Sequence, residues 1–390
     1  MQTANNFITV DNFAVNFLLS NTNAFLGKAE EIYFNSVKKQ SERILIFCYD
    51  ADYFLLGKRV KDLLIKNAKS VTCYSLERSV PLKPSIEKIF ANEVGFNAVL
   101  AVGNEKIAAA VAPFVNESKN FAFMPTDFDF SFFLCSGSGK NCSLIFDSAI
   151  FSLAKKNKVL SGLKSVVSKR IIFIEMRVNQ LIGGYLEQKE AISAFEKGQE
   201  MLNLFLKDLN VMHLILAQFY CGVAISVISC CFEPMQCSIV AEKLLDNSGF
   251  GEREFLFYEI LLKIYMLYFN NPIDFICKLP NVISDREQLE RLGLLGCENY
   301  FEPLYDTKRL SLIKGEIKGD SELKQEVEKQ LETIFSLKKI FKSVYAGRKY
   351  TVEHYSQKQR STALKLAPLT CNKPSALKLV WADGVLEYIN

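Results

Sequence analysis

The stretch that decides the fold runs from Asn97 to Phe114 and reads NAVLAVGNEKIAAAVAPF. The apolar run Ala98–Val102 leads into Gly103, and an alanine-rich run begins at Ile107 after three polar residues. This order predicts a buried parallel strand, a tight turn and the start of a helix. In nucleotide-binding α/β proteins, backbone N–H groups at such a junction hold a phosphate. The layout is typical of a cofactor site, although a phosphate cradle ordinarily has several glycines and this turn has one.

The segments on both sides of this junction continue the alternation of strand and helix. Short apolar runs predict three more strands, and amphipathic runs predict two helices between them: Arg43–Asp50, Ser70–Tyr74 and Phe121–Thr126, with Gly57–Lys66 and Pro84–Ala91. Strands that alternate with helices in this way indicate βαβ units and a parallel sheet.

Two further strand predictions concern the end of this region. Phe128–Leu134 and Cys142–Phe146 flank the turn Ser136–Lys140, and together they predict a β-hairpin. The Gly-Lys pair in that turn does not make a P-loop, because the motif needs an earlier glycine and a Ser or Thr after the lysine. The run Arg170–Glu175 (RIIFIE) predicts the last strand.

Beyond residue 183 the pattern is helical almost to the end of the sequence. At 390 residues, two domains are the default. The predicted fold class is therefore an α/β N-terminal domain with a Rossmann-like parallel sheet, residues 1–182, followed by an all-α domain, residues 183–390. Val211–Phe232 carries no Asp, Glu, Lys or Arg and is long enough to span a bilayer. Its acidic flanks, Asp208 and Glu233, lack the basic cluster that orients a spanning helix, so a central buried helix is preferred.

Composition places the chain among globular proteins. Hydrophobic residues make up 49% and charged residues 23%, and a formal charge of +4 gives no reason to expect nucleic acid as a partner. The 11 cysteines show no metal-ligand spacing, which favours reduced, mostly buried thiols in a cytoplasmic protein. The first residues show no secretory signal, so neither secretion nor a membrane is expected.

Several stretches occur in an order that resembles the superfamily of iron-containing alcohol dehydrogenases, glycerol-1-phosphate dehydrogenases and dehydroquinate synthases. Ile44–Asp50 is similar to its first core strand, which ends in Asp. Ala98–Ala112 is similar to the strand, Gly-Gly-Gly-Ser turn and helix that hold the cofactor pyrophosphate, and Met124–Thr126 to the Pro-Thr-Thr segment along the nicotinamide. Phe250–Glu252 is similar to the His-Gly-Glu motif, and Tyr350–Val352 to a late Tyr-Thr-Leu.

The resemblance implies a dehydroquinate synthase-like fold, NAD or NADP as cofactor, a small-molecule ligand in the cleft between the domains, and a homodimer. Residues that match the cofactor motifs or lie beside them are the candidate cofactor site: Asp50, Gly103, Asn104, Lys106, Pro125, Thr126 and Asp127. The basic run Lys155–Arg170, together with Arg348 and Lys349, would favour a phosphorylated polyol or ketone as substrate.

The chain departs from the family pattern in the glycine turn. Asn104 and Glu105 stand where the next glycines would be, and a carboxylate at position 105 repels a phosphate unless it turns outward.

The chain also departs from the family pattern at the metal site. Members that use zinc or iron bind it through one Asp and two His, and the metal polarises the substrate oxygen. Phe250 takes the place of one histidine, and Ser238 or Glu242 lies near the place of the other. The two histidines of the chain, His213 and His354, do not match the motif, so no metal is expected.

Three functions remain open, and the sequence does not decide whether the chain is an enzyme. The preferred hypothesis is a degenerate superfamily member with a binding or regulatory role. The alternative is an active NAD(P)-dependent oxidoreductase on a small polyol, ketone or glycerol phosphate that works without a metal. A lyase or synthase of the dehydroquinate synthase type is the least supported, because its mechanism depends on a metal and on several basic residues.

Overall fold

The structure is a computed structural model of the chain. It describes residues 7–8, 23–29, 33, 43–66, 70–78, 81–115, 120–128, 130, 133–134, 142–182, 189–227, 232–244, 250–270, 282–294, 307–344, 355–370, 375–383 and 385–388.

The sheet contains seven strands among the described residues. They are β1 Phe7–Ile8, β2 Asn23–Gly27, β3 Arg43–Tyr49, β4 Ser70–Leu76, β5 Ala98–Gly103, β6 Asn120–Pro125 and β7 Cys142–Asp147. Their order is β1-β2-β7-β6-β5-β3-β4, and all neighbours are parallel except β1 and β2. β5 is buried along its whole length. Strands of a parallel sheet are covered on both faces, so a central strand such as β5 requires apolar side chains along its whole length.

The chain reverses direction across the sheet between β3 and β5. It runs from β3 outward to β4, returns past β3 to β5, and then continues to β6 and β7. The register aligns Cys48 with Val102 and Gly103 with Pro125, so the carboxyl ends of β3, β5 and β6 lie at one edge. In open α/β sheets, ligands bind outside the carboxyl ends of the strands at this kind of switch point.

Helices follow the strands and make up most of the remaining described chain. They are α1 Lys58–Lys66, α2 Leu82–Asn92, α3 Glu105–Val111, α4 Ser148–Ser152, α5 Lys156–Ser168, α6 Ile172–Leu181, α7 Lys189–Asp208, α8 Val211–Val227, α9 Glu233–Lys243, α10 Phe250–Asn270, α11 Val282–Arg291, α12 Thr307–Gly319, α13 Ser321–Val344, α14 Gln357–Leu366 and α15 Ala376–Ala382. A short helical turn, Asp50–Asp52, and a π-helical turn, Tyr53–Gly57, connect β3 to α1. The α/β domain followed by helices confirms the predicted fold class.

By compactness the chain divides into two units that interleave along the sequence. One comprises Met1–Gly162 and Lys189–Val227, which includes the sheet, and the other comprises Leu163–Gln188 and Ile228–Asn390. The sequence predicts a single boundary near residue 183, and that assignment of domains stays a prediction.

The last predicted strand is wrong. Lys169–Ile171 form a 3₁₀ turn and Ile172 begins α6, which continues to Leu181. Most residues of α6 are buried, including Ile172 and Val178. A short, continuous apolar run is compatible with either a buried strand or a buried helix, because its hydrophobic periodicity does not distinguish the two.

The predicted hairpin is also wrong. Cys142–Asp147 forms β7 as expected, but its neighbours β2 and β6 are both parallel to it. Phe128 and Phe130 lie in bends and turns, and the described part of the segment ends in the helical residues Phe133 and Leu134. These four aromatic and aliphatic side chains are buried, so burial and not strand pairing explains the apolar run. The turn Ser136–Lys140 lies outside the described residues.

The apolar segment that starts at Val211 forms helix α8. Gln218 is fully buried in it, and its side-chain amide donates a hydrogen bond to the carbonyl oxygen of Gly162 at 2.9 Å. Gly198 of α7 lies against Cys221 of α8, where an added Cβ would come within 2.6 Å of the Sγ atom. Among the described residues, no helix is both long enough and apolar enough to cross a membrane.

Candidate functional site

Asp52 is the centre of a polar cluster at the carboxyl edge of the sheet. It lies in the helical turn that follows β3 and is only 5% exposed. Its Oδ1 atom accepts a hydrogen bond from the Thr126 hydroxyl at 2.8 Å. The backbone N–H of Thr126 donates in turn to the carbonyl oxygen of Gly103 at 2.9 Å. The cluster therefore joins the ends of β3, β5 and β6.

Gly103 leaves room for the carboxylate of Asp52. Its φ is +143°, a backbone conformation that residues with a side chain rarely adopt. A Cβ atom added at this position would lie 3.0 Å from Oδ2 of Asp52. A carboxylate of the chain itself therefore lies directly against the position that a side chain would take.

The charges around Asp52 act in opposite directions. Burial raises the pKa of Asp52, whereas the hydrogen bond from Thr126 and the positive charges of Arg78 and Lys158 act to lower it. Lys158 of α5 also directs its Nζ atom to the carbonyl oxygen of Thr126 at 3.4 Å. The Arg78 guanidinium lies 5.5 Å from the centre of the Tyr49 ring, and burial is the main reason that the pKa of Tyr49 rises to about 12. The cluster thus combines one buried acid, Asp52, with two basic side chains of the same unit, Arg78 and Lys158.

The helix that begins at this turn is poorly suited to a phosphate. Asn104 is its N-cap but makes no capping hydrogen bond, and its Oδ1 atom is buried without a hydrogen-bond partner. Glu105 in the first turn is 5% exposed. An acidic residue there interacts favourably with the helix dipole and repels a second anion. With Asp52 beside Gly103, the residues of this turn do not fit the cofactor pyrophosphate that the resemblance implies.

Most of the predicted cofactor residues lie together at the ends of β3, β5 and β6. Asp50 is exposed and accepts a hydrogen bond from Ser75, while Lys106 is exposed on α3. The others at this edge are Gly103, Asn104, Pro125, Thr126 and Asp127. Their cofactor role stays a prediction. Arg348 and Lys349 lie outside the described residues.

Asp52, Arg78 and Lys158 belong to the cluster but were not among the predicted site residues. One signal for Asp52 is present in the sequence, because two acids follow β3 in the run CYDAD and either can lie at a strand end. Lys158 lies in the basic run Lys155–Arg170, which the sequence associates with a phosphorylated substrate and not with the end of β6. No local pattern pairs either residue with Thr126.

In the helical unit, a buried arginine occupies the region where the resemblance implies a metal. Arg253 of α10 is 5% exposed. Its Nε atom donates to the Ser238 hydroxyl at 3.2 Å, and its Nη2 atom donates to Oε2 of Glu242 at 3.0 Å. A buried guanidinium between these two residues repels a divalent cation. Within the described parts of the chain, no three His, Cys, Asp or Glu side chains form a group that could hold a metal ion. The residues present here do not fit iron or zinc.

A second charge cluster lies beside it, between α5 and α10. The Nζ atom of Lys169 is 2.6 Å from the Ser165 hydroxyl and 3.6 Å from Oε2 of Glu254, and the hydroxyl also donates to Glu254. Lys164 pairs with Glu252 at 3.3 Å, and burial lowers the pKa of Lys164. Glu252 is therefore engaged with Lys164 of α5, and Glu254 with Lys169 of the 3₁₀ turn that follows α5.

Solved structures share this fold over nearly the whole chain. An alcohol dehydrogenase from an archaeal, halo-thermophilic source in a Red Sea brine pool has a TM-score of 0.60 at 11% identity, covering 95% of this chain and 97% of that chain. An iron-containing alcohol dehydrogenase from Corynebacterium glutamicum has a TM-score of 0.53 at 12% identity, covering 93% and 96%. Sulfoacetaldehyde reductase from Bifidobacterium kashiwanohense, solved in complex with NAD+, has a TM-score of 0.54 at 11% identity, covering 95% and 97%.

The chain has the fold of the iron-containing alcohol dehydrogenases, which confirms the predicted resemblance at the level of the fold. No protein-family model matches the sequence, and no curated protein matches it by sequence comparison.

Proposed function

We propose that the chain is a degenerate relative of the iron-containing alcohol dehydrogenases that has a binding or regulatory role in place of metal-dependent hydride transfer. One observation carries this proposal: the Asp52 carboxylate occupies the space beside Gly103 at the switch point of the sheet. In a dinucleotide site, that turn has to admit a pyrophosphate to its backbone N–H groups. Here Gly103 instead makes room for the carboxylate of Asp52, which belongs to the same chain.

The repulsion between the Asp52 carboxylate and a phosphate determines how strongly nucleotide binding is weakened. Two unit charges about 4 Å apart repel by about 4 kcal/mol in the partly screened surroundings of a protein site. A full penalty of that size weakens binding by roughly a factor of a thousand, and the positive charges of Arg78 and Lys158 near Asp52 reduce it. Glu105 adds a second buried carboxyl at the same turn. A cofactor that bound a glycine-rich turn at micromolar concentration would bind this turn at millimolar concentration or not at all.

The arginine in the helical unit supports the same proposal independently. Metal-dependent dehydrogenases need a Lewis acid at the substrate oxygen. Arg253 instead directs its guanidinium to Ser238 and Glu242, and both groups are thereby engaged within the unit. Loss of the metal and loss of the phosphate turn are the changes expected of a chain that keeps the fold without its chemistry.

Titration with NADH and NADPH, followed by fluorescence, tests the proposal. The wild-type chain should show no saturable binding below millimolar concentration, and micromolar binding of either nucleotide would overturn the proposal. In the Asp52→Ser variant the carboxylate is removed, so its affinity should rise at least tenfold if the turn is otherwise intact. Asp62→Ser, an exposed acid on α1, is the matched control and should leave the titration unchanged.

Elemental analysis of protein purified without chelators tests the metal part. Zinc and iron should both be far below one equivalent per chain. One full equivalent of either would contradict the proposal, because it would require ligands other than those around Arg253.

An active, metal-independent oxidoreductase is the second candidate. The neighbours of known structure are dehydrogenases and reductases, and Lys158 supplies a cationic side chain at the end of β6. For a small polyol, ketone or glycerol phosphate, this lysine could stabilise a developing alkoxide. Micromolar NADPH binding together with substrate-dependent oxidation would favour this candidate and reject the first.

A homodimer and a cytoplasmic location stay predictions from the resemblance and the cysteine content. Sedimentation equilibrium decides the first, since a monomer at micromolar concentration would exclude it.

A further inference from the structure

Among the cysteines that the structure describes, Cys73 on β4 is the one that solvent reaches. It is partly exposed, and the others are buried: Cys48, Cys142, Cys221 and Cys237. The Cys73 side chain packs against the hydrophobic cluster to which helix α1 contributes Val60 and Leu64. Neither the sequence motifs nor the polar cluster around Asp52 uses this thiol, so its chemistry is considered separately from the candidate site.

The buried thiol of Cys48 lies beside Cys73 and is able to donate a hydrogen bond to it. The two Sγ atoms are 3.9 Å apart, and Cys48 Sγ is also 3.8 Å from the carbonyl oxygen of Tyr74. A thiol has one proton, so Cys48 donates to one of these acceptors at a time. A charged acceptor forms the stronger hydrogen bond, which favours Cys73 as soon as it is a thiolate.

The two sulfurs differ in the charge that they can carry. The hydrogen bond with Cys73, burial and the nearby carboxyl of Asp52 all raise the pKa of Cys48, so this residue stays a thiol. The hydrogen bond from Cys48 and the positive charge of Lys61 lower the pKa of Cys73, while its partial burial acts in the opposite direction. The negative charge of the pair therefore belongs on the partly exposed sulfur.

The charge of helix α1 restricts which reagents approach this sulfur. The helix packs against β4 and carries four basic residues against one acidic residue: Lys58, Arg59, Lys61 and Lys66 against Asp62. Positive surface charge raises the local concentration of anions. A reagent with negative charge is therefore favoured at Cys73 over a reagent of similar size with positive charge.

The sheet register keeps Cys48 from forming a disulfide with Cys73. Cys48 is opposite Ser75 and Cys73 is opposite Ile46, so the two cysteines are diagonal neighbours. With strands about 4.8 Å apart and a rise of about 3.3 Å per residue, diagonal Cα atoms are separated by roughly 8 Å. Disulfides need Cα atoms closer than about 7 Å. An adduct formed at Cys73 is therefore not displaced by the neighbouring thiol.

We propose that Cys73 is a modification site that reacts with anionic, low-molecular-weight disulfides and retains half of the reagent as a mixed disulfide. The Cys73 thiolate attacks one sulfur of the reagent, a bond forms between Sγ and that sulfur, and the S–S bond of the reagent breaks. The other half leaves as a thiolate, so Cys73 is oxidised and the departing sulfur is reduced. The site does not depend on the proposed function, because it needs neither a nucleotide nor a metal.

Site-resolved mass spectrometry of the reduced, full-length chain, treated with glutathione disulfide over a range of pH, tests the proposal. The adduct is quantified at each cysteine separately, because the chain has 11. The pH midpoint of the Cys73 reaction should lie below the ordinary thiol value of about 8.5. This midpoint reports the thiolate fraction and does not depend on how well the reagent reaches the sulfur. Cys142, a buried thiol on β7, is the internal control and should stay unmodified.

Two variants separate the effects of charge and hydrogen bonding. Lys61→Ala should lower the ratio of the Cys73 rate with glutathione disulfide to that with cationic cystamine by at least about threefold. Lys66→Ala, which removes an exposed base near the end of the same helix, is the matched control and should leave this ratio unchanged. Cys48→Ala removes the thiol donor and should raise the pH midpoint of the Cys73 reaction.

A Cys73 midpoint at or above the ordinary thiol value would overturn the proposal. So would equal rate ratios for the anionic and cationic reagents in wild type and Lys61→Ala. A Cys48–Cys73 disulfide in place of the adduct would also contradict it, because the strands would then have shifted to bring the two residues together.

Discussion

At the scale of single residues, the carboxylate of Asp52 lies against Gly103, the glycine that ends β5. Gly103 has the backbone conformation expected at a strand-to-helix turn, and such turns in dinucleotide-binding folds admit a phosphate. The contact that Asp52 makes there is internal and buried. The presence of a glycine in the right place is therefore insufficient to infer a nucleotide.

Replacing Gly103 with alanine should destabilise the sheet unit by about 2 kcal/mol, since the φ angle disfavours a side chain and the new Cβ approaches the Asp52 carboxylate. Urea unfolding measures the change. Gly315→Ala, in an exposed interior position of α12 with no atom near the added Cβ, is the matched control and should gain up to about 1 kcal/mol. A neutral Gly103→Ala variant would show that Asp52 does not fill the turn.

The raised pKa of Asp52 predicts a pH dependence of stability. The folded chain holds this proton more tightly than the unfolded chain, so the stabilisation is complete below the ordinary carboxyl pKa and is lost as the pH rises through the folded-state value. Asp52→Asn keeps an acceptor for the Thr126 hydroxyl and cannot ionise.

Unfolding free energies of wild type and Asp52→Asn should therefore diverge as the pH rises from acidic towards neutral, with wild type losing stability relative to the variant. Parallel pH profiles for the two proteins would refute this assignment of the charge.

At the scale of elements, helices α9 and α10 are joined by a polar contact where the resemblance implies a metal. Arg253 bridges the two helices through Ser238 and Glu242. The guanidinium is held by side chains of the chain itself, whereas a metal ion would need a group of His, Cys, Asp or Glu ligands that the described residues do not form. The contact thus places the positive charge of Arg253 between the two helices.

Arg253→Ala should cost about 2 kcal/mol of stability, because Glu242 would remain partly buried without its guanidinium; fully buried pairs lose about 3–5 kcal/mol when one partner is removed. Thermal and urea unfolding measure the loss.

Arg291→Ala removes an exposed pair with Glu287 and should change stability by less than about 0.5 kcal/mol. Equal effects of the two substitutions would place Arg253 among ordinary surface pairs.

At the scale of the whole molecule, local patterns in the sequence predict the order of elements well and the contacts between them poorly. The strand at Ala98–Gly103 and the glycine that ends it follow from a continuous apolar run and a turn residue. The strand predicted from the RIIFIE run is wrong because the run begins a mostly buried helix, whose apolar residues show little helical periodicity. The Asp52–Thr126 hydrogen bond joins residues 74 positions apart, and no local pattern encodes a contact of that separation.

The same limit applies to the candidate sites. Gly103 and Thr126 are predictable, because they end strands of a parallel sheet and such ends share one edge. The contact at Gly103 is not predictable from Gly103 alone, since the contacting carboxylate, Asp52, comes from the helical turn that follows β3. Likewise, the missing histidines predict the absence of a family metal, but only the structure reveals Arg253 in that region.

A crystal structure of the chain grown with millimolar NADH tests the central claim most directly, because it locates any bound nucleotide. We expect the Asp52 carboxylate to stay beside Gly103 and no pyrophosphate to lie on the backbone N–H groups of residues 103–105. A nucleotide seated on that turn, with Asp52 rotated away from Gly103, would contradict the account and restore the dehydrogenase interpretation.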